Sequence, residues 1–148
     1  MVGIYVVDSS VAVKWYLREI HHESARCLLN SIHTLHVPEL FRVEVSNVVC
    51  KKLRRQELQK IEADFILNHL ETIPLQWHYD KPLIKTAMDI ANETARSLYD
   101  CLYLSLATVV HGQMVTADKK FYDALQSTVF ANKIVWIENI KWQRSQVV

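Results

Sequence analysis

Short apolar segments alternate with longer helical patterns along most of the chain, and this alternation restricts the possible folds more than any other feature. The pattern predicts strands at IYVV (4–7), TLHV (34–37), LQWHY (75–79), QMVTA (113–117) and KIVWIEN (133–139). It predicts helices at 10–17, 22–32, 39–55, 58–73, 82–95, 99–111 and 119–125. Such alternation is typical of an α/β sandwich on a short, mainly parallel sheet, and right-handed crossovers then place helices on both faces. Functional residues in such sheets lie at the carboxyl ends of the strands.

The composition favours one globular domain over residues 1–148. Hydrophobic residues make up 50% of the chain and charged residues 22%, which is enough apolar material for a substantial core. Two glycines and three prolines are few, and this favours a helix-rich fold with short connections. The longest uncharged apolar run, CLYLSLATVV (101–110), is too short to span a bilayer. Because no signal-peptide pattern is visible either, we expect a cytoplasmic protein with no membrane contact.

Charge and cysteine content give weaker indications. The formal net charge is +1, so no global charge signal points to nucleic acid. The basic run KKLRRQ (51–56) is either the solvated end of a helix, where cations complement the helix dipole, or a local patch that binds nucleic acid. The cysteines, Cys27, Cys50 and Cys101, stand in apolar stretches, and we expect them to be buried free thiols in a reducing compartment.

Two aspartates occupy equivalent positions at strand ends. Asp8 follows the apolar run VV and precedes SS, and Asp118 follows the strand QMVTA. Each could simply cap the helix that comes next. Two such residues, one after the first strand and one after a late strand, are more indicative of a shared site than either alone, because the carboxyl ends of parallel strands meet at one edge.

Two further acids lie on helices at the margin of the predicted core. Glu44 shares a helical face with Leu40, Phe41 and Val48, so its carboxylate is partly desolvated and needs a neutralising partner, which could be a lysine or arginine. Asp100 opens the almost wholly apolar helix 99–111, where it could instead act through the electrostatics of the helix start.

The four acids together predict more than any one of them does. If they converge, their mutual repulsion requires either a divalent cation or the uptake of protons. Carboxylate oxygens without supporting histidine or cysteine suit Mg²⁺ or Mn²⁺. The residues thus predict a candidate metal site, provided that the fold brings them to one place.

Four segments carry a family likeness. VVDSSVAVKWYL, VPELFRVEVSNVV, SLYDCLYLSLA and MVTADKKF resemble the successive motifs of PIN-domain ribonucleases, most closely the VapC-type toxins of prokaryotic toxin–antitoxin pairs. The resemblance extends from about residue 4 to residue 137, and the motifs follow the order and spacing of the family. It implies a three-layer α/β/α sandwich on a short parallel sheet, in agreement with the alternation described above.

The resemblance also implies roles for particular residues. The acidic quartet of the family matches Asp8, Glu44, Asp100 and Asp118, the hydroxyl residues beside the first and last aspartates match Ser10 and Thr116, and a recurrent polar position matches Asn47. The resemblance implies that the protein cleaves single-stranded or looped RNA with Mg²⁺ or Mn²⁺. It also implies a protein antitoxin as partner and a homodimeric assembly. Phosphates could contact Lys14, Arg42 or the basic cluster at 51–55, among which the sequence does not discriminate.

Two other functions remain to be weighed. A PIN-like module could bind protein or RNA without cleavage, although the presence of all four acids disfavours that alternative. A receiver-like or phosphohydrolase α/β domain would need paired acids at the end of the first strand, where this chain has a single aspartate. The aromatic residues stand mostly in periodic apolar contexts, which favours core packing over a base-stacking surface; they are Trp15, Tyr16, Trp77, Tyr99, Tyr103 and Trp136.

Overall fold

A five-stranded parallel sheet forms the centre of the molecule, as seen in a computed structural model that describes residues 2–140. The strands are β1 (Ile4–Val7), β2 (Thr34–Pro38), β3 (Gln76–His78), β4 (Gln113–Thr116) and β5 (Ile134–Trp136), in the spatial order β3-β2-β1-β4-β5. All four strand pairs are parallel. Chain order therefore reverses direction at β1, and this reversal is where open α/β sheets form their binding crevices.

Every connection between the strands carries at least one helix, as parallel pairing requires. The helices are α1 (Ser9–Ala12), α2 (His22–Leu29), α3 (Leu40–Arg54), α4 (Lys60–Leu70), α5 (Lys81–Thr94), α6 (Leu98–Val109) and α7 (Lys119–Leu125). Because the strand order changes direction at β1, right-handed crossovers place α1–α4 on one face and α5–α7 on the other. The predicted α/β/α sandwich on a parallel sheet is confirmed.

The core lies between the sheet and these helices. α6 packs across β1, β2 and β4, and α5 packs along α6. That position explains why the sequence of α6 is apolar nearly all round, with seven consecutive buried residues from Cys101 to Ala107. Gly112 lies just before β4, where a side-chain carbon would overlap the carbonyl oxygen of Ile4, so a glycine lets β4 approach β1 closely.

Several local predictions from the sequence were wrong. The predicted helix 10–17 is only the four-residue α1 followed by a 3₁₀ turn, Val13–Trp15. The predicted strand 133–139 is limited to β5, after which the chain forms another 3₁₀ turn, Ile137–Asn139. Cys27 and Cys50 are exposed, and only Cys101 is a buried thiol, because the first two lie on the solvent sides of α2 and α3.

The ends of other predicted elements differ by a few residues. The predicted helix 22–32 ends at Leu29. The predicted helix 58–73 is shorter, Lys60–Leu70, and the predicted strand 75–79 is limited to Gln76–His78. Tyr99, predicted to lie in the core, is 61% exposed, because it is in the first turn of α6, before the buried run that begins at Cys101. None of the helices within residues 2–140 is both long and apolar enough to cross a membrane.

Candidate active site

The carboxyl ends of β1 and β4 lie side by side and hold the first and last of the predicted acids. Asp8 directly follows β1, and its backbone N–H donates to the carbonyl oxygen of Val115 in β4 at 3.1 Å. Asp118 follows β4 after a single intervening residue. The two aspartates therefore belong to the same edge of the sheet, at the point where the strand order reverses.

Asp8 is buried and held by two hydroxyl groups. The residue is only 5% exposed to solvent. Ser10 Oγ donates to Asp8 Oδ2 at 2.8 Å, and Thr116 Oγ1 donates to the same oxygen at 2.9 Å. The carboxylate makes no capping hydrogen bond to α1. The simple capping interpretation of Asp8 is therefore wrong for its side chain, which is positioned by hydroxyl donors from two different segments.

The same two hydroxyl groups also accept hydrogen bonds from the backbone that follows β4. Ala117 N–H donates to Ser10 Oγ at 3.1 Å, and Asp118 N–H donates to Thr116 Oγ1 at 3.1 Å. Each hydroxyl thus donates to Asp8 and accepts from the turn that leads to Asp118. These bonds couple the position of the buried carboxylate to that of the last acid.

Glu44, on α3, is half-buried and is bound by hydroxyl groups instead of a cation. Tyr103 OH, from α6, donates to Glu44 Oε1 at 2.6 Å, and Ser9 Oγ donates to the same oxygen at 3.4 Å. Ser9 Oγ also lies 3.5 Å from Asp8 Oδ1. Among the ion pairs of residues 2–140, none involves Glu44, so the alternative of a salt bridge to lysine or arginine does not hold there.

Asp100 and Asp118 both stand at helix starts, as the helix-start interpretation of each anticipated. Ser97 is the N-cap of α6, and its Oγ accepts a hydrogen bond from Asp100 N–H at 3.1 Å. Asp118 is the N-cap of α7, and its Oδ1 accepts from Phe121 N–H at 3.2 Å. A capping role and a role in a shared site are compatible for Asp118, because a carboxylate has two oxygens.

Burial and neighbouring charges shift the pKa values of three of the four acids. The pKa of Asp8 is raised to about 7, mainly by burial and to a smaller extent by the charges of Glu44 and Asp100, while the hydrogen bonds from Ser10 and Thr116 oppose the rise. Burial also raises the pKa of Glu44, with a smaller contribution from Asp100. The pKa of Asp100 is raised by burial and by the charge of Asp118. The edge therefore concentrates negative charge that protons or a cation must offset.

The acids are coupled but do not stand in ligand positions around a common point. In the part of the chain that the structure describes, no three histidine, cysteine, aspartate or glutamate side chains are grouped closely enough to hold a metal ion. The donor set itself consists only of carboxylate and hydroxyl oxygens, and this chemistry suits Mg²⁺ or Mn²⁺.

The basic residues considered from the sequence are mostly engaged. Lys14 is buried and pairs with Glu19 at 3.3 Å, and Arg42 forms a two-pronged pair with Glu71. In the basic run, Lys52 pairs with Glu57 and Glu19, and the run lies at the end of α3 as the solvated-end interpretation expected. Asn47 is exposed on α3, one turn beyond Glu44, and within residues 2–140 no hydrogen bond joins it to the acids.

The sequence reasoning missed three residues at this edge. Tyr103 donates to Glu44, and Ser9 lies within 3.5 Å of both Glu44 and Asp8. The Arg96 guanidinium partly opposes the rise in the pKa of Asp100 that burial causes. Arg96 also lies over the Phe121 ring at 5.5 Å, and within the described residues its buried Nε has no hydrogen-bond partner. Tyr103 was detectable in principle, because it follows Asp100 by three positions and so shares its helix face.

Comparison with known proteins identifies the family. The family model described as the PIN domain matches residues 5–125. The chain belongs to the PIN-domain family. The matched segment contains all four acids and every hydroxyl residue that contacts them.

Relatives of this PIN domain include one curated protein and several solved structures. Ribonuclease VapC3 of Pyrobaculum aerophilum is 29% identical over 126 residues, which cover 84% of this chain and 96% of that protein. The crystal structure of PAE2754 from Pyrobaculum aerophilum has a TM-score of 0.68 at 19% identity, covering 92% of this chain and 85% of that one.

Two solved complexes share the fold. A toxin–antitoxin complex from Klebsiella pneumoniae has a TM-score of 0.63 at 12% identity and covers 92% of this chain and 99% of that one. VapBC2 from Rickettsia felis, bound to a DNA fragment from its promoter, has a TM-score of 0.58 at 14% identity, covering 95% and 99%. At these identities the structural likeness establishes the fold of this PIN domain and nothing about its chemistry.

Proposed function

We propose that this PIN domain is a metal-dependent endoribonuclease and the toxin of a type II toxin–antitoxin pair. The observation that carries the proposal is the placement of the acids at the strand-order reversal: Asp8 and Asp118 follow neighbouring strands, and Ser9 Oγ lies within 3.5 Å of both Asp8 and Glu44. The similarity to a protein named ribonuclease VapC3 over most of both chains supports RNA as the substrate. The partner would be a cognate antitoxin protein, and we expect a homodimer in the cytoplasm.

Asp8, Glu44, Asp100 and Asp118 would hold the Mg²⁺ or Mn²⁺ ion. The chemistry that such an ion would supply is a lower pKa for a bound water and compensation of charge at the leaving oxygen of the phosphodiester. The oxygen-only donor set and the concentration of negative charge fit such an ion.

The surrounding residues keep the carboxylates in usable positions and protonation states. Ser10 and Thr116 donate to one oxygen of Asp8, which lowers its pKa and fixes its orientation. Tyr103 does the same for Glu44. Because the pKa of Asp8 is about 7, its carboxyl group must lose a proton before it can act as a ligand. Metal affinity and RNA cleavage should therefore rise as the pH passes through neutrality.

The test is RNA cleavage by variants that remove one carboxylate at a time. We expect Asp8→Asn and Asp100→Asn to abolish cleavage of a fluorescently labelled RNA in Mg²⁺ or Mn²⁺ while leaving the circular dichroism spectrum unchanged. Asp64→Asn is the matched control, because Asp64 is an exposed acid on α4 that pairs with Lys60. Wild-type cleavage rates in the Asp8→Asn, Asp100→Asn double variant would refute the assignment of the site.

A non-catalytic binding module is the competing function, although the presence of all four acids disfavours it. Thermal unfolding with and without millimolar Mn²⁺ distinguishes the two. Metal that binds only the folded state stabilises it by about 3 kcal/mol at a hundred times its dissociation constant. If Mn²⁺ raises the Tm of the wild type but leaves the Tm of Asp8→Asn unchanged, the nuclease is supported. An unchanged wild-type Tm supports the module without catalysis.

A further inference from the structure

A cluster of aromatic rings and a lysine stands at the carboxyl end of β5. The Trp136 ring lies 6.0 Å from the Tyr122 ring of α7 and 5.4 Å from the His21 ring, measured between centroids. Lys119 Nζ lies 5.1 Å from the centroid of the Trp136 ring and 5.0 Å from that of Tyr122. The sequence pattern favoured core packing for Trp136, but its residue is only half-buried.

This cluster is adjacent to the candidate active site. Trp136 is the register partner of Thr116, whose hydroxyl donates to Asp8. Neighbouring parallel strands are about 4.8 Å apart, so the tryptophan is one strand spacing from the residue that binds the buried acid. Lys119 directly follows Asp118 at the start of α7. A nucleotide on these rings would therefore be close to a phosphate at the acids.

The tryptophan ring is fixed by contacts at its edge. Trp136 Nε1 donates to Glu138 Oε1 at 3.2 Å, and the same carboxylate oxygen lies 3.4 Å from His21 Nδ1. His21 has a left-handed backbone conformation, with φ of 69°, which is uncommon outside glycine. An aromatic ring held in place before binding loses little conformational entropy when a base stacks on it.

Lys119 supplies an exposed cation that lies over the faces of both rings. Its side chain is 61% exposed and pairs with Asp123, which is 59% exposed, at 3.3 Å. Surface pairs of this kind are worth little, about 0.2 to 1 kcal/mol, so the ammonium group can exchange the carboxylate for a phosphate. Lys120 is exposed next to it. Stacking faces next to cations form the chemistry with which proteins bind single-stranded nucleic acid.

We propose that Trp136 and Tyr122 form a stacking subsite for one base of a single-stranded RNA, with Lys119 contacting the adjacent phosphate. This inference rests on the proposed ribonuclease function, since it names the part of the chain that holds the substrate next to the acids. The subsite gives preference for unpaired nucleotides, because a base inside a duplex cannot present a free face to the ring. It adds no requirement for a particular base, since every base has a stacking face.

The test compares two fluorescein-labelled probes, an oligouridylate and a ribose-phosphate oligomer of equal length without bases. Binding is measured by fluorescence anisotropy in EDTA, so that cleavage plays no part. Trp136→Leu should bind oligouridylate about tenfold more weakly than the wild type, and the probe without bases equally well. Trp136→Phe should recover part of the affinity. Trp77→Leu is the matched control, since Trp77 also carries a cation on its ring, Arg42 at 4.1 Å, but lies on β3 at the far edge.

Lys119→Gln separates the phosphate contact from stacking. It should weaken both probes to the same extent and reduce the dependence of log affinity on log salt by about 0.7. The proposal is overturned if Trp136→Leu binds oligouridylate as the wild type does, if it weakens both probes equally, or if the wild type binds neither probe. Failure of the proposed ribonuclease would be seen separately, as binding of oligouridylate without cleavage in Mg²⁺ or Mn²⁺.

Discussion

Asp8→Asn should raise the free energy of unfolding at neutral and alkaline pH when no divalent metal is present. Burial, together with the charges of Glu44 and Asp100, raises the pKa of Asp8 from its ordinary 3.8 to about 7. Above that pH the folded protein carries a buried carboxylate that its surroundings disfavour. Asparagine is neutral at every pH, and its carbonyl oxygen can still accept hydrogen bonds from Ser10 and Thr116.

The magnitude follows from the pKa of Asp8. A rise from 3.8 to about 7, at about 1.4 kcal/mol per pKa unit, corresponds to about 4 kcal/mol. Between these values the folded state keeps a proton that the unfolded chain releases, so the free energy of unfolding falls as pH rises and levels off above the folded pKa. The variant lacks this fall. At about pH 8 its Tm should exceed that of the wild type by on the order of 10 °C.

Urea unfolding followed by circular dichroism, from about pH 4 to about pH 8 in EDTA, measures this difference. Only the difference between wild type and Asp8→Asn is used, since the titration of groups that do not interact with Asp8 cancels. Asp123→Asn, at an exposed position, should follow the wild-type curve. A difference that does not change with pH would refute the reasoning, and so would a variant less stable than the wild type at pH 8. Added Mn²⁺ should reverse the order, because only the wild type keeps the proposed metal ligand.

Three further substitutions test the bonds around the acids. Thr116→Val removes a buried hydrogen-bond donor to Asp8, so the free energy of unfolding in urea should fall by about 1 to 3 kcal/mol and RNA cleavage should be slower. An unchanged urea midpoint would contradict this expectation. Tyr103→Phe removes a hydrogen bond that lowers the pKa of Glu44, so the acidic limb of the pH–rate profile for RNA cleavage should move to higher pH instead of staying in place. Ser97→Ala removes the N-cap of α6 and should cost about 1 kcal/mol of stability, and no loss would show that the cap is dispensable.

Much of the fold could be predicted from the sequence, because strands covered by helices on both faces leave short, continuous apolar runs. Element ends were less predictable. The helical pattern at 10–17 continues through the region, yet the regular helix ends at Ala12. The 3₁₀ turn that follows lets the indole of Trp15 donate to the carbonyl oxygen of Ala25 at 2.9 Å. That bond joins the 3₁₀ turn to α2, and the local sequence pattern contains no information about such a contact.

The part of the candidate site that lies directly after predicted strands could be predicted from the sequence. Asp8 and Asp118 could be assigned to one edge because each follows an apolar strand. Glu44 and Asp100 could be recognised as acids at the margin of the core, but no local pattern assigned them to the same edge, and that assignment came from the family resemblance. Tyr103 was missed, since a tyrosine in an apolar helix is typical of a core residue. Its hydroxyl partner is 59 positions away in the chain, and only the packing of α6 against the sheet brings the two together.

The central position of β1 has a consequence for synthesis on the ribosome. β1 pairs with β2 on one side and with β4 on the other, and the hydroxyl that completes the binding of Asp8 comes from 108 positions further along. In a nascent chain that has emerged only as far as β3, β1 still lacks its pairing with β4, and the emerged part contains neither Asp100 nor Asp118. For a proposed enzyme that destroys RNA, unfinished chains would therefore be harmless to the messenger and ribosome that are producing them. Cleavage would begin only when the last acid has left the exit tunnel and β4 has closed the sheet.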